Sequence, residues 1–523
     1  MHKVNAKTQA VISKKRIAKH VNLWYNQIDP YGNHSNERSE RMKKQLAPGK
    51  LSTGTKVIYG LGDLSSNICF SAINFYLLYF LINVAGMEAG LASIVFLVAK
   101  AWDAITDYFM GRLCDRTKSK WGKHRVYIMF GAIPFGIAFA LLWLSPASQQ
   151  WSKLVYYIVM YMLYSTAWTV VYIPYSAIAA NMTSDYDERT SMNGYKIIEA
   201  NIGIILGAAV FSLLAEGEGS IFYGVTHSIP TAYALAAIIF AVVAAVVMFI
   251  CGYFCKEKEE PADAAPENQK SFFRTLKEFF MLKEFRTTIM YYLLSMVGFD
   301  IIMAVFMFFI NYSLKFGAPD MVEKYGSVMS MIFVAIPLII AIASAVIWVK
   351  LSEKLQKHKV YAISCIYMAV VLAFATIVPE KNVVTTILLC VFAGAGMSAI
   401  QILPFGSLPD VVEVDEYTYG VRREGSYYGI ASFMYKLASG LGVALVSWIL
   451  ELLKFKESSD GTYIEQADST NLAIRIILGV LPGVIFLVSI YFAYASNMNR
   501  ERHQMIVAEL EKRHAEQSSS GQE

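Results

Sequence analysis

The chain is poor in charge. Only 17% of its 523 residues are Asp, Glu, Lys or Arg, against 56% hydrophobic, where a soluble domain carries about a quarter charged. That shortage excludes an ordinary soluble globular protein, and apolar runs of membrane-spanning length recur between residues 57 and 495. The runs are continuous rather than alternating, which excludes a β-barrel. The six cysteines show no metal-ligand spacing. A Walker A loop, a nucleophile elbow and a His/Cys cluster are all missing, so neither an enzyme nor a bound cofactor is expected. His124 and His358 fall in polar connections and read as solvated. The first 50 residues contain no apolar h-region, so no cleavable signal peptide is expected.

What the chain has is helix for a bilayer. Spans are expected near 58–84, 90–110, 126–145, 154–180, 197–215, 231–254, 287–312, 327–349, 360–378, 383–405, 427–453 and 472–495. The fold class is therefore an all-α polytopic membrane protein. The segment 256–286 is the longest internal polar stretch; it opens as a linker and ends in SFFRTLKEFFMLKEFR, a basic amphipathic helix suited to a membrane surface. It separates two halves, 55–255 and 287–496, flanked by polar tails at 1–54 and 497–523. The halves echo each other. Lys123-His124-Arg125-Val126-Tyr127 opens the third span as Lys357-His358-Lys359-Val360-Tyr361 opens the ninth. Pro174 near the end of the fourth is answered by Pro404 near the end of the tenth. Such parallel repeats build the major facilitator fold, two six-helix halves with solute and ion sites between them.

The net charge of +5 is no nucleic-acid signal, because its placement tracks the membrane. Lys and Arg crowd the even-numbered connections, whereas the fifth offers Glu216 and Glu218 and no basic residue. Both termini are thus expected in the cytosol, in a multi-pass protein of the plasma (cell inner) membrane.

Asp103 and Asp107 lie within the second span, four residues apart and so on one helix face. A carboxylate at bilayer depth is costly unless paired, hydrated or bound to a cation, and two sharing a site oppose each other's ionisation. The pair reads as a site for a proton or small cation; the alternative is a structural ion pair with Lys100, expected to neutralise one acid in the empty state. The fourth span carries Tyr157, Tyr161, Tyr164, Trp168, Tyr172 and Tyr175 along one stripe. Aromatic faces with polar rims suit sugar rings, and Trp168, Tyr172 and Tyr175, beside Thr169 and Ser176, are the members weighed for that role against helix packing. In the first span Asp63 reads as a helix-end charge and Asn67 as the deeper ligand contact. Lys196 opens the fifth span with Glu199 close behind. Asp300 lies in the seventh. Lys436 is the lone cation well inside the eleventh, able to pair with the span-two acids or grip a solute oxygen.

The run WDAITDYFMGRLCDRTKSKWGKHR resembles the second span and following loop of the glycoside–pentoside–hexuronide:cation symporters, the group that contains melibiose permease. The resemblance continues through YGLGDLSSN (59–67), YIPYSAIAA (172–180), DERTSMNGYK (187–196) and VRREGSYYGIASFMYK (421–436). It implies a cation site at Asp103, Asp107 and Thr169, a sugar-facing Lys196 where the family usually has arginine, a match for Lys436, and a gating loop carrying Gly111, Asp115, Arg116, Gly122, Lys123 and Arg125. The melibiose branch has acids where this chain has Asn67 and Tyr172 and a tryptophan at Ser176, so melibiose itself is not implied. The activity so implied is symport of a glycoside, pentoside, hexuronide or related sugar with H+ or Na+, Na+ binding at Asp103 and Asp107. A lysolipid or other non-sugar solute on the same fold is the alternative. The expected partners are the small solute and the lipid bilayer, with no nucleic acid, and the protein is expected to be a monomer.

Overall fold

A computed structural model describes residues 51–117, 119–146, 149–182, 186–256, 272–420, 424–458, 460–496 and 500–520. Among them every regular element is helical, as required where lipid offers the backbone no hydrogen-bond partner. Twelve long helices follow in order. α1 runs Thr53–Ala72 and continues through two wide i→i+5 turns, Ile73–Leu77 and Phe80–Val84. Next come α2 (Ala89–Arg116), α3 (Arg125–Leu142) and α4 (Gln150–Met182). α5 is Tyr186–Ile205, extended through Leu206–Val210 and Phe211–Ala215, and α6 is Ile229–Phe254. The second half holds α7 (Lys283–Phe308, then Phe309–Ser313), α8 (Val328–Lys354), α9 (Lys357–Phe374), α10 (Val383–Phe405), α11 (Glu424–Leu452) and α12 (Asp468–Ala495).

Eleven of these are long and apolar enough to cross a bilayer by length and composition. α1 is more polar, with Asp63, Asn67, Asn74 and Asn83, and can be so because it is an interior helix whose residues Tyr76, Leu77 and Phe80–Ile82 are fully buried. Twelve passes return the chain to the end of the bundle where it entered, here the near end; residues 85–88 and the other odd-numbered connections lie at the far end.

The packing repeats from half to half. α1 lies on α5 and α6, as α7 lies on α11 and α12; α3 packs on α4 and α6, as α9 packs on α10 and α12; α2 meets α4, as α8 meets α10. The halves join where α2 crosses α11, where α8 meets the end of α5, and where the wide turn of α1 meets α7. Outward faces carry Phe130, Ile133, Ile137, Val242, Val346, Val370, Phe392 and Leu441, all exposed: large apolar side chains at helical spacing belong against lipid. Prolines at 134, 174, 337, 404 and 482 stand inside helices, tolerated because neighbouring helices satisfy the backbone groups they free.

Three further helices decorate the near end. Of the amphipathic piece, Phe272–Met281 is described as helix; Phe279 is fully buried with its ring 3.8 Å from that of Tyr427. That part of its apolar face meets α11, not lipid. Leu408–Tyr419 follows α10. The C-terminal segment forms a further helix, Arg500–Ser520, where a polar tail is expected. It docks by burying Ile506 and Leu510 in one cluster with Leu408 and Val411, by an ion pair from Arg502 to Glu284 (2.5 Å) and by a contact of His503 Nε2 with Glu413 Oε2 (2.7 Å).

Candidate cation and solute site

The paired acids of α2 face the opposite half. Lys436 of α11 inserts between them, its Nζ 2.9 Å from Asp103 Oδ2 and 2.5 Å from Asp107 Oδ2. Thr169 of α4 donates to Asp107 Oδ1 at 2.8 Å and lies 3.4 Å from Asp103 Oδ1. Thr106 Oγ1 stands 3.4 Å from the Thr169 hydroxyl. Asp103, Thr169 and Lys436 are all buried. The α2 spacing puts both acids on one face, and the crossing of α2 with α11 brings the cation to them. The result is a cage of carboxylate and hydroxyl oxygens with one ammonium in the middle. Oxygen donors are what a hard cation takes, and an ammonium already seated there must move before another cation can enter.

Lys100 is not the partner of this pair, contrary to expectation. Among the described residues it forms no ion pair within 4.0 Å with either acid. Helical side chains lean toward the helix N-terminus, which carries the Lys100 stem away from Asp103. It lies instead against Gly440 of α11, where a side chain would collide with its Cβ. Its charge reaches Asp300 of α7, a buried acid 3.4 Å from the Tyr435 hydroxyl.

The second cluster adjoins the first. Trp168 and Tyr172 stack with ring centroids 4.3 Å apart and planes 17° apart. Lys436 Nζ is 5.1 Å from the Trp168 ring, so one lysine touches both the carboxylate cage and the aromatic platform. At the other end of the platform Lys196 Nζ lies 5.9 Å from the Tyr172 ring and 4.0 Å from Asp63 Oδ1. A continuous line therefore runs from Asp107 through Lys436, Trp168, Tyr172 and Lys196 to Asp63.

Several expected contacts fall differently. Asp63 is no helix-end charge: it lies well inside α1, 6% exposed, facing Lys196. Asn67, one turn on, donates its amide back to the Asp63 carbonyl at 2.8 Å. The acid on this side of the site is therefore Asp63, one turn before Asn67 on α1. Tyr175 is fully buried, stacked 5.1 Å from Tyr59, and supports the platform from behind rather than forming its face. Ser176 gives its hydroxyl to the Tyr172 and Ile173 carbonyls, both at 2.9 Å. Glu199 packs against Gly60 of α1.

Of the gating loop, the side chains of Asp115 and Arg116, and Gly111 with them, lie outside the described residues. Gly122 has φ +102°, a conformation that favours glycine. Arg125 bonds the carbonyls of Gly252 and Tyr253 (3.0 and 2.5 Å), closing the free end of α6. Lys123 is half-buried. His124 is 4% exposed, not solvated, because it sits where the loop turns inward to start α3.

Sequence reading passed over Thr106, three residues after Asp103 and so on the same face, and ranked Asp63 below Asn67. The expected span starts near residue 58, whereas α1 starts at Thr53, and this earlier start is what carries Asp63 past the N-terminal turns.

Over most of its length the chain is similar to known transporters. Residues 58–500 match the family model described as MFS/sugar transport protein. The symporter sll1374 of Synechocystis is 26% identical over 90% of this chain and 99% of its own length. The inner membrane symporter YicJ of Escherichia coli is 26% identical over 85% of this chain and 91% of its own. The sodium-dependent lysophosphatidylcholine symporter 1-A of Danio rerio is 23% identical over 88% and 89%. In fold the chain resembles the nucleoside transporter NupG, with TM-score 0.59 and 13% identity over 84% of this chain and 98% of that one. It also resembles a D-xylose-proton symporter, with TM-score 0.52 and 15% identity over 84% and 96%. With the match covering most of its length, the chain belongs to the MFS/sugar transport protein family of the major facilitator superfamily.

Proposed function

We propose that this protein is a secondary active symporter that moves a glycoside, pentoside, hexuronide or related sugar together with a cation, H+ or Na+. The observation that carries the proposal is Lys436, which sits in the carboxylate cage and against the aromatic platform at once. A coupling cation that takes the cage displaces the ammonium. Lys436 is then free to turn toward a solute on Trp168 and Tyr172. With both loaded, the inter-half ion pair that ties α2 to α11 is gone and the halves can rock. Trp168 and Tyr172 offer a flat face for the ring of a sugar, and Lys196 and Asp63 offer a donor and an acceptor for its hydroxyls. Residues 103, 107 and 169 form the cation cage in this reading, and the basic even-numbered connections put the near end and both termini in the cytosol.

The test is uptake into proteoliposomes against a panel of sugars, under separate Na+ and pH gradients. Asp103→Asn is expected to lose gradient-driven accumulation, internal solute rising only to the external level. Normal concentrative uptake by that variant would falsify the coupling assignment. The similarity to a lysophosphatidylcholine symporter makes lysophosphatidylcholine the second substrate of the panel; its uptake in place of every sugar moves the solute class while leaving the cation cage in place.

A further inference from the structure

The far end of the bundle is held shut by polar bonds between the halves. Asn311 at the end of α7 donates to Glu216 Oε1 at 2.7 Å. Tyr312 donates to Asn83 Oδ1 at 2.8 Å. Glu457 accepts from the Ala89 N–H at the start of α2 at 2.9 Å, and Glu451 accepts from the neighbouring Gly90 N–H. Glu216 differs from the other two acids because it is buried, 5% exposed, one residue past the end of α5. Its remaining side-chain bond is from the Ser212 hydroxyl. Both donors are neutral, and among the described residues no Lys or Arg lies within ion-pair distance of it. The titratable groups that face it are Tyr76 and Tyr79 of α1 and Tyr233 of α6, with Glu218 and Tyr463 lining the same cavity. Beside it a small cavity of about 120 Å³ is lined by Glu216, Glu218, Asn311, Ser327 and Tyr463. That cavity gives protons at the far face a place next to the carboxyl.

We infer that Glu216 is a proton-operated latch: closing the far-end gate takes up a proton on this carboxyl, and opening the gate releases it. When the halves part, Asn311 leaves with α7 and the carboxyl meets water, where it ionises in the ordinary glutamate range. When they close, it is enclosed with neutral donors and three tyrosine rings. Burial then pushes it up to about 7. A group whose pKa is raised in one state stabilises that state below the raised value and loses the effect as pH rises through it. Acid on the far side therefore favours the closed gate, and alkali favours the open one. The proton comes from and returns to the same face, so the latch adds no ion to the transport stoichiometry; it sets the conformational balance by pH. The shift allows roughly a 30-fold change in the closed-to-open ratio between pH 8 and pH 5.5.

The latch needs only that the two halves separate at the far end, not that any particular cation or solute is carried. Its test uses the full-length protein without solute. Spin labels at Val225→Cys and Ile377→Cys, both exposed at the far end and on opposite halves, report the gate by the distance between them. The six native cysteines are all buried. The short-distance population is expected to grow as pH falls from 8 to 5.5. In Glu216→Gln it is expected to be high and flat across that range. Asn311→Leu, which removes the donor that favours the ionised form, is expected to move the midpoint upward. The gate distance is read without solute and the coupling assignment by uptake in Asp103→Asn, two separate readouts, so that failure of the latch and failure of the symport reading are told apart. Wild-type distances that do not change with pH, or an unaltered pH response in Glu216→Gln, would overturn the inference, as would a response abolished by Glu218→Gln instead.

Discussion

At the scale of the residue, the site turns on a single ammonium between two acids. Lys436 is held at 2.9 and 2.5 Å from them, in a place where charge is costly to leave unpaired. Removing it should expose the cost directly. Lys436→Ala is expected to destabilise the cation-free protein by on the order of 3–5 kcal/mol, the usual penalty for breaking a buried pair. Adding the coupling cation should restore much of the loss, because a free cation can then fill the cage. Thermal unfolding in detergent with and without Na+, and at two pH values, reads both effects and tells which cation binds. Lys100→Ala should leave cation dependence intact, since Lys100 belongs to the Asp300 side of the interface. The acids themselves were legible from their spacing alone. Their partner was not, because Lys100 and Lys436 are equally lysines in apolar runs and only the crossing of α2 with α11 chooses between them.

At the scale of the element, three of the helices that form the gate are irregular. Wide i→i+5 turns occur in α1 (Ile73–Leu77 and Phe80–Val84), in α5 (Leu206–Val210) and in α7 (Phe309–Ser313), all toward the far end. Such turns are rare and cluster at functional sites. Here they aim Asn83, Asn311 and Tyr312 across the interface. The same helices approach each other closely. A Cβ at Gly207 of α5 would overlap the Ile68 carbonyl and the Ser71 hydroxyl of α1, whereas one at Gly194, on the same helix, would meet nothing within 4 Å. Gly207→Ala is expected to destabilise by about 1–3 kcal/mol through overpacking, and Gly194→Ala to stabilise by up to about 1 kcal/mol through helix propensity. Thermal melts of the two variants in the same detergent check the contrast. Neither the wide turns nor this difference between two glycines can be read from composition, since both depend on which backbone lies opposite.

At the scale of the whole molecule, two copies of one packing scheme face each other and are latched at the far end. Tyr312→Phe removes the hydroxyl that donates to Asn83, a buried side chain whose amide nitrogen is already without a partner. The lost bond is worth about 1 to 1.5 kcal/mol, and it exists only while the gate is shut. The far-open population is therefore expected to rise roughly tenfold, a change that single-molecule energy transfer between far-end labels resolves. No change in that population would mean that the bond is also kept in the open state.

The sequence by itself determined that this chain crosses a membrane many times as helix, that it does so in two related halves, and that charge sits in the second and eleventh spans. Hydropathy, periodicity and the cost of charge in lipid are local or compositional, so they are written in the order of the residues. Tertiary structure alone decided which lysine neutralises Asp103 and Asp107 and that Asp63 rather than Asn67 faces Lys196. It also decided that Tyr175 supports the aromatic platform from behind, and that Glu216 meets Asn311 across the gate. Each of these is a contact between helices far apart in the chain, fixed by how close and at what angle they pack, and a linear pattern of residues carries neither quantity.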